Sequence, residues 1–340
     1  MRDRLLRYFL SWLYWFPIIR HNIACRKSLL KPLYKKRCED GLSCNEGDRK
    51  IIYMVLPETT FSGGLSDRLR AIVAIYKQCN TKNLPFRIVF EPLHLQDYLV
   101  PNKYDWRISS KDICFDTNKV YPCTLLTYHA STRNRYQQFV QNTILSYYLK
   151  QPYQQIHVYS NMICKDEEYG ALFNELFKPS AELQELIDYH LNKIGGSNTY
   201  VSLTFRFRQL LGDFKEGGET LPEAQREPYI ARCLKCIEEH HDRYPGKKIL
   251  VTSDSSTFLT RVSEDERISE YTYLIPGKVV HIGFTSDASK QTYMKSFVDY
   301  FMLANAEEIF LVRDKKMYHS GFPYRAALLE RKRYSEIKIN

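Results

Sequence analysis

Lys50-Ile51-Ile52-Tyr53-Met54-Val55-Leu56 is the stretch on which the fold turns. It is an apolar run of strand length, closed by Pro57 and followed by Phe61-Ser62-Gly63-Gly64. From Leu65 to Cys79 apolar residues recur at 65, 69, 72, 73, 76 and 79, which is the period of a helix. Arg87 to Phe90 reads as a second short strand. The order β–loop–α–β is the opening of a parallel sheet.

The same alternation continues outward. Residues 38–49 are polar, contain Gly41 and Gly47, and read as a linker. Residues 100–135 read as irregular. Phe139–Leu149 predicts a helix, Ile156–Tyr159 a strand, and Phe173–Ile194 a helix that ends at Gly195-Gly196. A second unit then opens with a strand over Thr199–Phe205. A helix over Pro222–Tyr244 stops at Pro245-Gly246, and a strand over Lys248–Thr252 runs into Ser253-Asp254-Ser255. Short strands follow over Tyr271–Ile275 and Lys278–His281. The chain closes with a helix over Ser289–Asn305, a strand over Glu308–Val312 and a helix over Phe322–Arg331. This pattern predicts an α/β protein of two Rossmann-like domains, 38–195 and 196–340, facing across a cleft. Residues 1–37 form a separate arm.

A length of 340 residues suits two domains. With 44% hydrophobic and 26% charged residues the chain is globular, not disordered, collagen-like or a coiled coil. No apolar run approaches the ~20 residues of a spanning helix, which excludes a polytopic membrane protein. The net charge of +10 suggests nucleic acid until it is located. Residues 1–37 hold ten basic side chains and one acid, Asp3, so the remainder carries +1. A basic footprint across the fold is absent, and no nucleic-acid partner is expected. The nine cysteines are scattered, which in a chain of this length points to reduced thiols and a cytoplasmic protein. Cys233, Cys236 and His240 share a helix face. Three ligands from one helix rarely close a zinc site, so the thiols read as packing residues.

The arm reads Leu-Leu-Arg-Tyr-Phe-Leu-Ser-Trp-Leu-Tyr-Trp-Phe-Pro-Ile-Ile over Leu5–Ile19, with Arg on both sides. Tryptophan and tyrosine favour the headgroup level, and Lys and Arg favour anionic lipid. The expectation is an amphipathic helix on the inner-membrane surface, making the protein peripheral. Packing on the protein's own core and an export signal are the alternatives.

Four short segments can carry chemistry. Gly63-Gly64-Leu65-Ser66-Asp67-Arg68 sits between strand and helix, where glycine lets backbone N–H groups approach an anion. Its bland alternative is a tight turn, with Asp67 capping and Arg68 solvated. Thr204-Phe205-Arg206-Phe207-Arg208 lies at the carboxyl end of the second unit's first strand, where open α/β sheets bind ligands. Alternation sets Arg206 and Arg208 opposite Phe205 and Phe207, and an Arg fork suits a diphosphate. The alternative is a surface Arg paired with Asp213. Ser253-Asp254 ends another strand, where a carboxylate can accept from a ribose hydroxyl or base N–H; the alternative is a helix cap. Asp299 and then Ser320-Gly321-Phe322 place a hydroxyl and N–H groups at a helix start, again either a phosphate site or a cap.

In their order these segments resemble the fucosyltransferase superfamily, which includes the α1,2- and α1,6-fucosyltransferases, the protein O-fucosyltransferases and the nodulation fucosyltransferases. The matching positions are Gly63-Gly64 with Asp67-Arg68, then Arg206 with Gly212-Asp213, Ser253-Asp254, and Asp299 with Ser320-Gly321-Phe322. The resemblance runs in element order over residues 50–330. It implies a GT-B fold and an inverting, metal-independent transferase with a GDP-sugar donor, no cofactor, and a glycan or lipid-linked saccharide acceptor in surface polysaccharide assembly. By that match Arg206 holds the donor β-phosphate, with Ser320 and the backbone at Gly321 adding to the clamp. Asp254 and Asp299 lie near the nucleoside, and Gly63, Gly64 and Arg68 close from the first domain. Thr204 stands where the family usually has His, and Phe207 where a second Arg is common. These departures leave open a transferase using another nucleotide sugar, or a non-catalytic sugar- or nucleotide-binding module. No D-x-D occurs in the chain, in keeping with metal independence. Of the nearby carboxylates, Asp213 and Glu216, Asp213 is the expected base; a salt bridge to Arg206 or Arg208 is its structural alternative.

Overall fold

The computed structural model describes residues 15–39, 48–59, 63–91, 93–127, 135–213, 218–277, 280 and 289–339. The chain forms two compact units, one of residues 1–95 and 101–178, the other of 96–100 and 179–340. The division falls at Lys178-Pro179, ahead of the Gly195-Gly196 junction expected from the sequence. The helix that ends at that glycine pair belongs to the second unit.

The first unit is built on four parallel strands: β1 (Lys50–Val55), β2 (Phe86–Phe90), β4 (Val120–Leu125) and β5 (Gln155–Ser160), in the order β2-β1-β5-β4. Residues 51–55 of β1 are all buried, as a strand covered on both faces must be. Helices α3 (Leu65–Thr81), α4 (Arg135–Tyr148) and α5 (Asp166–Leu176) complete it. The region expected to be irregular contains β4, disguised by Pro122. β4 is the last strand of the sheet, and an edge tolerates a residue without N–H. The single helix expected over Phe173–Ile194 is two, α5 and α6 (Ala181–Ile194). Pro179 cannot continue the first. Ser180 caps the second, its Oγ accepting from the Leu183 N–H at 3.4 Å. Between them β6 (Phe177–Pro179) pairs with β3 (Leu99–Pro101).

The arm is corrected in part. Residues 1–14, which hold most of its apolar run, lie outside the described residues. The rest is helical: α1 over 15–25, a π-turn over Arg26–Leu30, and α2 (Lys31–Glu39). Leu30, Leu33 and Tyr34 are buried in the first unit's core with Ile52, Met54 and Val89. Tyr34 closes a polar network there. Its hydroxyl lies 2.6 Å from His157 Nδ1 and 2.9 Å from the Tyr159 hydroxyl, and His157 Nε2 lies 2.9 Å from Gln155 Oε1. Gln155 Oε1 also accepts from the Cys114 N–H at 3.0 Å. One tautomer satisfies every member: His157 donates from Nε2 and accepts from Tyr34 at Nδ1. Burial holds His157 neutral, its pKa pushed down to about 3.

The second unit contains five parallel strands: β7 (Val201–Phe205), β8 (Ile249–Ser253), β9 (Thr272–Tyr273), β10 (Glu308–Arg313) and β11 (Arg333–Lys338), in the order β11-β10-β7-β8-β9. Counted from β7 this is 3-2-1-4-5, the Rossmann strand order without its sixth strand. Its helices are α6, α7 (Glu223–Arg243), α8 (Ser256–Glu264), α9 (Glu266–Ser269), α10 (Lys290–Asn305) and α11 (Phe322–Leu329). Strand β11 was not expected. It is an edge strand rich in charge, with no fully buried residue to betray it. Of the pair of strands expected over 271–281, the first is β9; residues 278, 279 and 281 lie outside the described residues. Cys233, Cys236 and His240 are core residues, and the His240 ring packs edge-on against Phe310 at 4.3 Å. Burial pushes the Cys236 thiol up to about 11.

Candidate active site at the end of the first strand of the second unit

The switch point of the second sheet lies between β7 and β10, where the chain leaves β7 in one direction and β10 in the other. Strands β7 and β8 pair in register, Phe205 opposite Ser253. One residue further on, that register sets Arg206 beside Asp254. The Asp254 carboxylate is buried and gathers three donors: Oδ2 accepts from Arg206 Nη1 and the Arg208 N–H, both at 2.6 Å, and Oδ1 accepts from the Phe207 N–H at 2.8 Å. A charged acceptor on two backbone amides and a guanidinium is the strong form of hydrogen bond. It fixes residues 206–208, the start of the loop after β7.

Phe207 anchors the loop from below. It is 1% exposed, and its ring lies 5.0 Å from Phe258 and 6.2 Å from Tyr229. Phe205 and Phe207 both face the core, but strand alternation ends before Arg208. Arg208 adopts φ +55°, a left-handed conformation that costs a side-chain-bearing residue about 1 kcal/mol. Its amide bond to Asp254 holds it there. Its guanidinium stacks 5.1 Å above the half-exposed Tyr318 ring, and the Tyr318 N–H donates to the Arg206 carbonyl at 3.1 Å. Sequence reasoning did not single out Tyr318. No motif marks it, and it reaches the site through the chain that follows β10.

Asp213 does not take its structural alternative, an ion pair with Arg206 or Arg208. Instead its carboxylate accepts from the hydroxyls of Ser255 (2.5 Å), Ser256 (2.8 Å) and Thr257 (2.8 Å), and from the Thr257 N–H (3.1 Å). These groups form the first turn of α8, whose dipole favours the negative charge. Burial opposes the charged form, but the hydroxyl donors outweigh it and hold the carboxyl below its ordinary value. A carboxylate so occupied is a weak base and a firm tie between the β7 loop and α8. Glu216 lies outside the described residues. The cap of α8 is Ser255, not Asp254: its Oγ accepts from the Phe258 N–H at 3.0 Å. Ser253 Oγ accepts from the Ser255 N–H at 3.1 Å.

Asp299 and Ser320 lie on the α10 and α11 side of the same unit. Both Asp299 oxygens meet Lys295 Nζ, at 2.7 and 2.9 Å, one turn earlier on α10. Both residues are buried, and burial raises the Asp299 pKa against the pull of Lys295. No sequence signal marks Lys295, because a Lys–Asp pair at i, i+4 is ordinarily a solvated helix pair. Ser320 is buried, its Oγ accepting from the Phe322 N–H at 3.3 Å. Gly321 caps α11, and Phe322 packs on Tyr300 at 5.1 Å, joining α11 to α10. Arg325, on the next turn, is also buried, and no motif in the sequence marks it.

In the first unit the glycine pair opens α3. Gly63 has φ +78°, and a Cβ there would meet Asp67 Oδ2 at 2.7 Å. Gly64 is the N-cap. Arg68 is not solvated: it is 3% exposed, and its Nε donates to the Gly63 carbonyl at 2.8 Å. Asp67 does not cap the helix but pairs with Arg70 at 3.0 Å, while Arg70 Nε donates to the Met162 carbonyl at 3.0 Å. The helix start is thus tied to the loop behind β5. Among the described residues no group of three or more His, Cys, Asp and Glu side chains is disposed to hold a metal ion.

No protein-family model and no curated protein matches the sequence. Solved structures do match in fold. The fucosyltransferase NodZ from Bradyrhizobium is 14% identical, with a TM-score of 0.50 over 84% of this chain and 94% of its own. A variant of Arabidopsis thaliana FUT1 in complex with GDP is 11% identical, with a TM-score of 0.52 over 95% of this chain and 79% of its own. POFUT1 in complex with GDP is 12% identical, with a TM-score of 0.50 over 86% and 99%. The chain has a fucosyltransferase-like GT-B fold, as the motif order implied.

Proposed function

We propose that this protein is a glycosyltransferase that moves fucose from GDP-fucose, with inversion and without a metal ion, to a glycan or lipid-linked saccharide at the inner-membrane surface. A role in surface polysaccharide assembly follows from such an acceptor. The observation that carries the reading is the Arg206–Asp254 pair at the carboxyl ends of β7 and β8, beside the switch point of the second sheet. The fold of structures seen with GDP supports it.

The chemistry asks for stabilisation of a departing nucleoside diphosphate. A guanidinium beside the β-phosphate lowers the barrier as charge builds on the leaving oxygen. Arg206 is suited to this because Asp254 has already fixed its rotamer, so little entropy is lost when the donor binds. Arg208, turned outward by its left-handed backbone and stacked on Tyr318, brings a second cation to the same strand end. Ser320, the Gly321 backbone and Asp299 serve the donor from α10 and α11. Asp213 acts by holding the β7 loop to α8. The reaction then proceeds through a loose, oxocarbenium-like transition state with little demand for a base on the acceptor hydroxyl.

The test is calorimetric titration with GDP, GDP-fucose and UDP, with and without EDTA. GDP and GDP-fucose are expected to bind, to survive EDTA, and to bind Arg206→Ala about 10- to 100-fold more weakly, the worth of one charge-assisted contact. UDP binding in place of GDP would move the donor class. Folded protein that binds neither would overturn the transferase reading.

A further inference from the structure

We infer that the outward face of α1 is a docking surface for an anionic lipid bilayer. The inference rests on the membrane-surface part of the proposed function and narrows it from an entire arm to one helix face.

The inward face of α1 is committed. Ile18 and Asn22 are 1% and 4% exposed. Asn22 Oδ1 accepts from the Thr124 N–H on edge strand β4 at 2.7 Å, and His21 Nδ1 lies 3.2 Å from the Thr124 hydroxyl. Downstream, the Arg26 guanidinium stacks 4.2 Å over Tyr121, and Leu30, Leu33 and Tyr34 enter the core. These contacts fix the helix about its own axis.

The outward face is apolar. Phe16, Ile19 and Ile23 are 63%, 37% and 62% exposed, and the spacing i, i+3, i+7 aligns them in one stripe. Single exposed hydrophobics need no explanation. Here three of the seven large ones exposed among the described residues fall on two turns of a single helix. Arg20 and Lys27 are exposed beside the stripe, followed by Lys31, Lys35 and Lys36 on α2.

An apolar stripe rimmed by cations matches a bilayer interface. The apolar side chains enter the acyl boundary while Lys and Arg stay among the headgroups. The ten-to-one excess of bases over acids in residues 1–37 selects an anionic surface over a neutral one. No described helix is long and apolar enough to cross a membrane. Because the inward face is already seated, binding needs no refolding of the helix.

The test is vesicle flotation of the full chain on phosphatidylcholine with and without phosphatidylglycerol, at low and high salt. Flotation is expected on phosphatidylglycerol vesicles, weakened by salt. In the triple variant Phe16→Ser, Ile19→Ser, Ile23→Ser the partition coefficient should fall about tenfold or more. Its melting temperature and GDP titration should stay those of the parent, since none of the three faces the core. That GDP control keeps failure here distinct from failure of the transferase reading. In Arg20→Gln, Lys27→Gln the loss should appear on anionic vesicles alone. Absence of flotation by the parent, or undiminished flotation by the triple variant, would overturn the inference. So would a concentration-dependent dimer that the triple variant abolishes, which would assign the stripe to a second copy of the chain.

Discussion

Replacing Asp254 with asparagine removes the charge that organises the loop after β7 and leaves its shape. The carboxylate now serves three donors: Arg206 Nη1 and the Arg208 N–H on one oxygen, the Phe207 N–H on the other. An amide supplies a single oxygen. Whichever way it turns, an NH2 group faces at least one N–H, and a buried donor stranded in this way costs about 1–3 kcal/mol. Breaking a buried ion pair adds to that, up to about 5 kcal/mol in all. The Arg206 side chain is 16% exposed and can recover some hydration, which argues for the lower part of the range, about 3 kcal/mol. For a unit the size of residues 96–100 and 179–340, each kcal/mol moves Tm by about 2–4 °C, so the transition of that unit should fall by about 6–12 °C. Calorimetry gives the transition, and hydrogen exchange at the Phe207 and Arg208 amides gives the local effect. Arg206→Ala is the control. Asp254 then keeps both backbone donors but loses its counter-charge, so stability should drop by about 1.5–3 kcal/mol, with both amides still protected, while GDP affinity falls. A Tm within about 1 °C of the parent, with both amides still protected in Asp254→Asn, would refute the claim that this carboxylate holds the loop.

The buried histidine makes a prediction about pH. The folded pKa of His157 is pushed down to about 3, below its unfolded value near 6.5, so its contribution is intact above pH ~6.5 and is lost as pH falls toward 3. Between these limits it should subtract up to about 1.4 kcal/mol of first-unit stability per pH unit, and His157→Gln should flatten that slope in denaturant titrations. Gly63→Ala forces a side chain into φ +78° and against Asp67, and should cost about 1–3 kcal/mol by thermal melt. Asp213→Asn should keep transferase turnover within about tenfold of the parent, since loss of a general base costs about 10²–10⁴. A larger loss with Tm preserved would restore Asp213 as the base.

Most of the fold was legible because burial leaves a period. Strands β1, β7, β8 and β10 are apolar runs enclosed on both faces, and α3, α7 and α10 repeat their apolar residues at helix spacing. Where the period failed, a local signal overruled it. Pro122 hid an edge strand, charge hid β11, and a helix pattern ran unbroken across Pro179. The aromatic, basic arm looked like a detached anchor. Its sequence contains the residues that bury Tyr34 against His157, but nothing local indicates that a partner 123 positions away is waiting for them.

The site divides along the same line. Composition, strand ends and motif order determined by themselves which residues gather at the β7 and β8 termini, because position along a strand is a local property. What each of them does there was decided by tertiary structure. Strand register brings Asp254 under Arg206 and two amides, helix placement gives Asp213 to α8 in place of the arginines, and burial turns Lys295 and Asp299 into a pair shielded from water. Charge and hydrogen-bonding capacity are carried by the residue, but the partner that uses them, and the dielectric in which they act, exist once distant segments have packed.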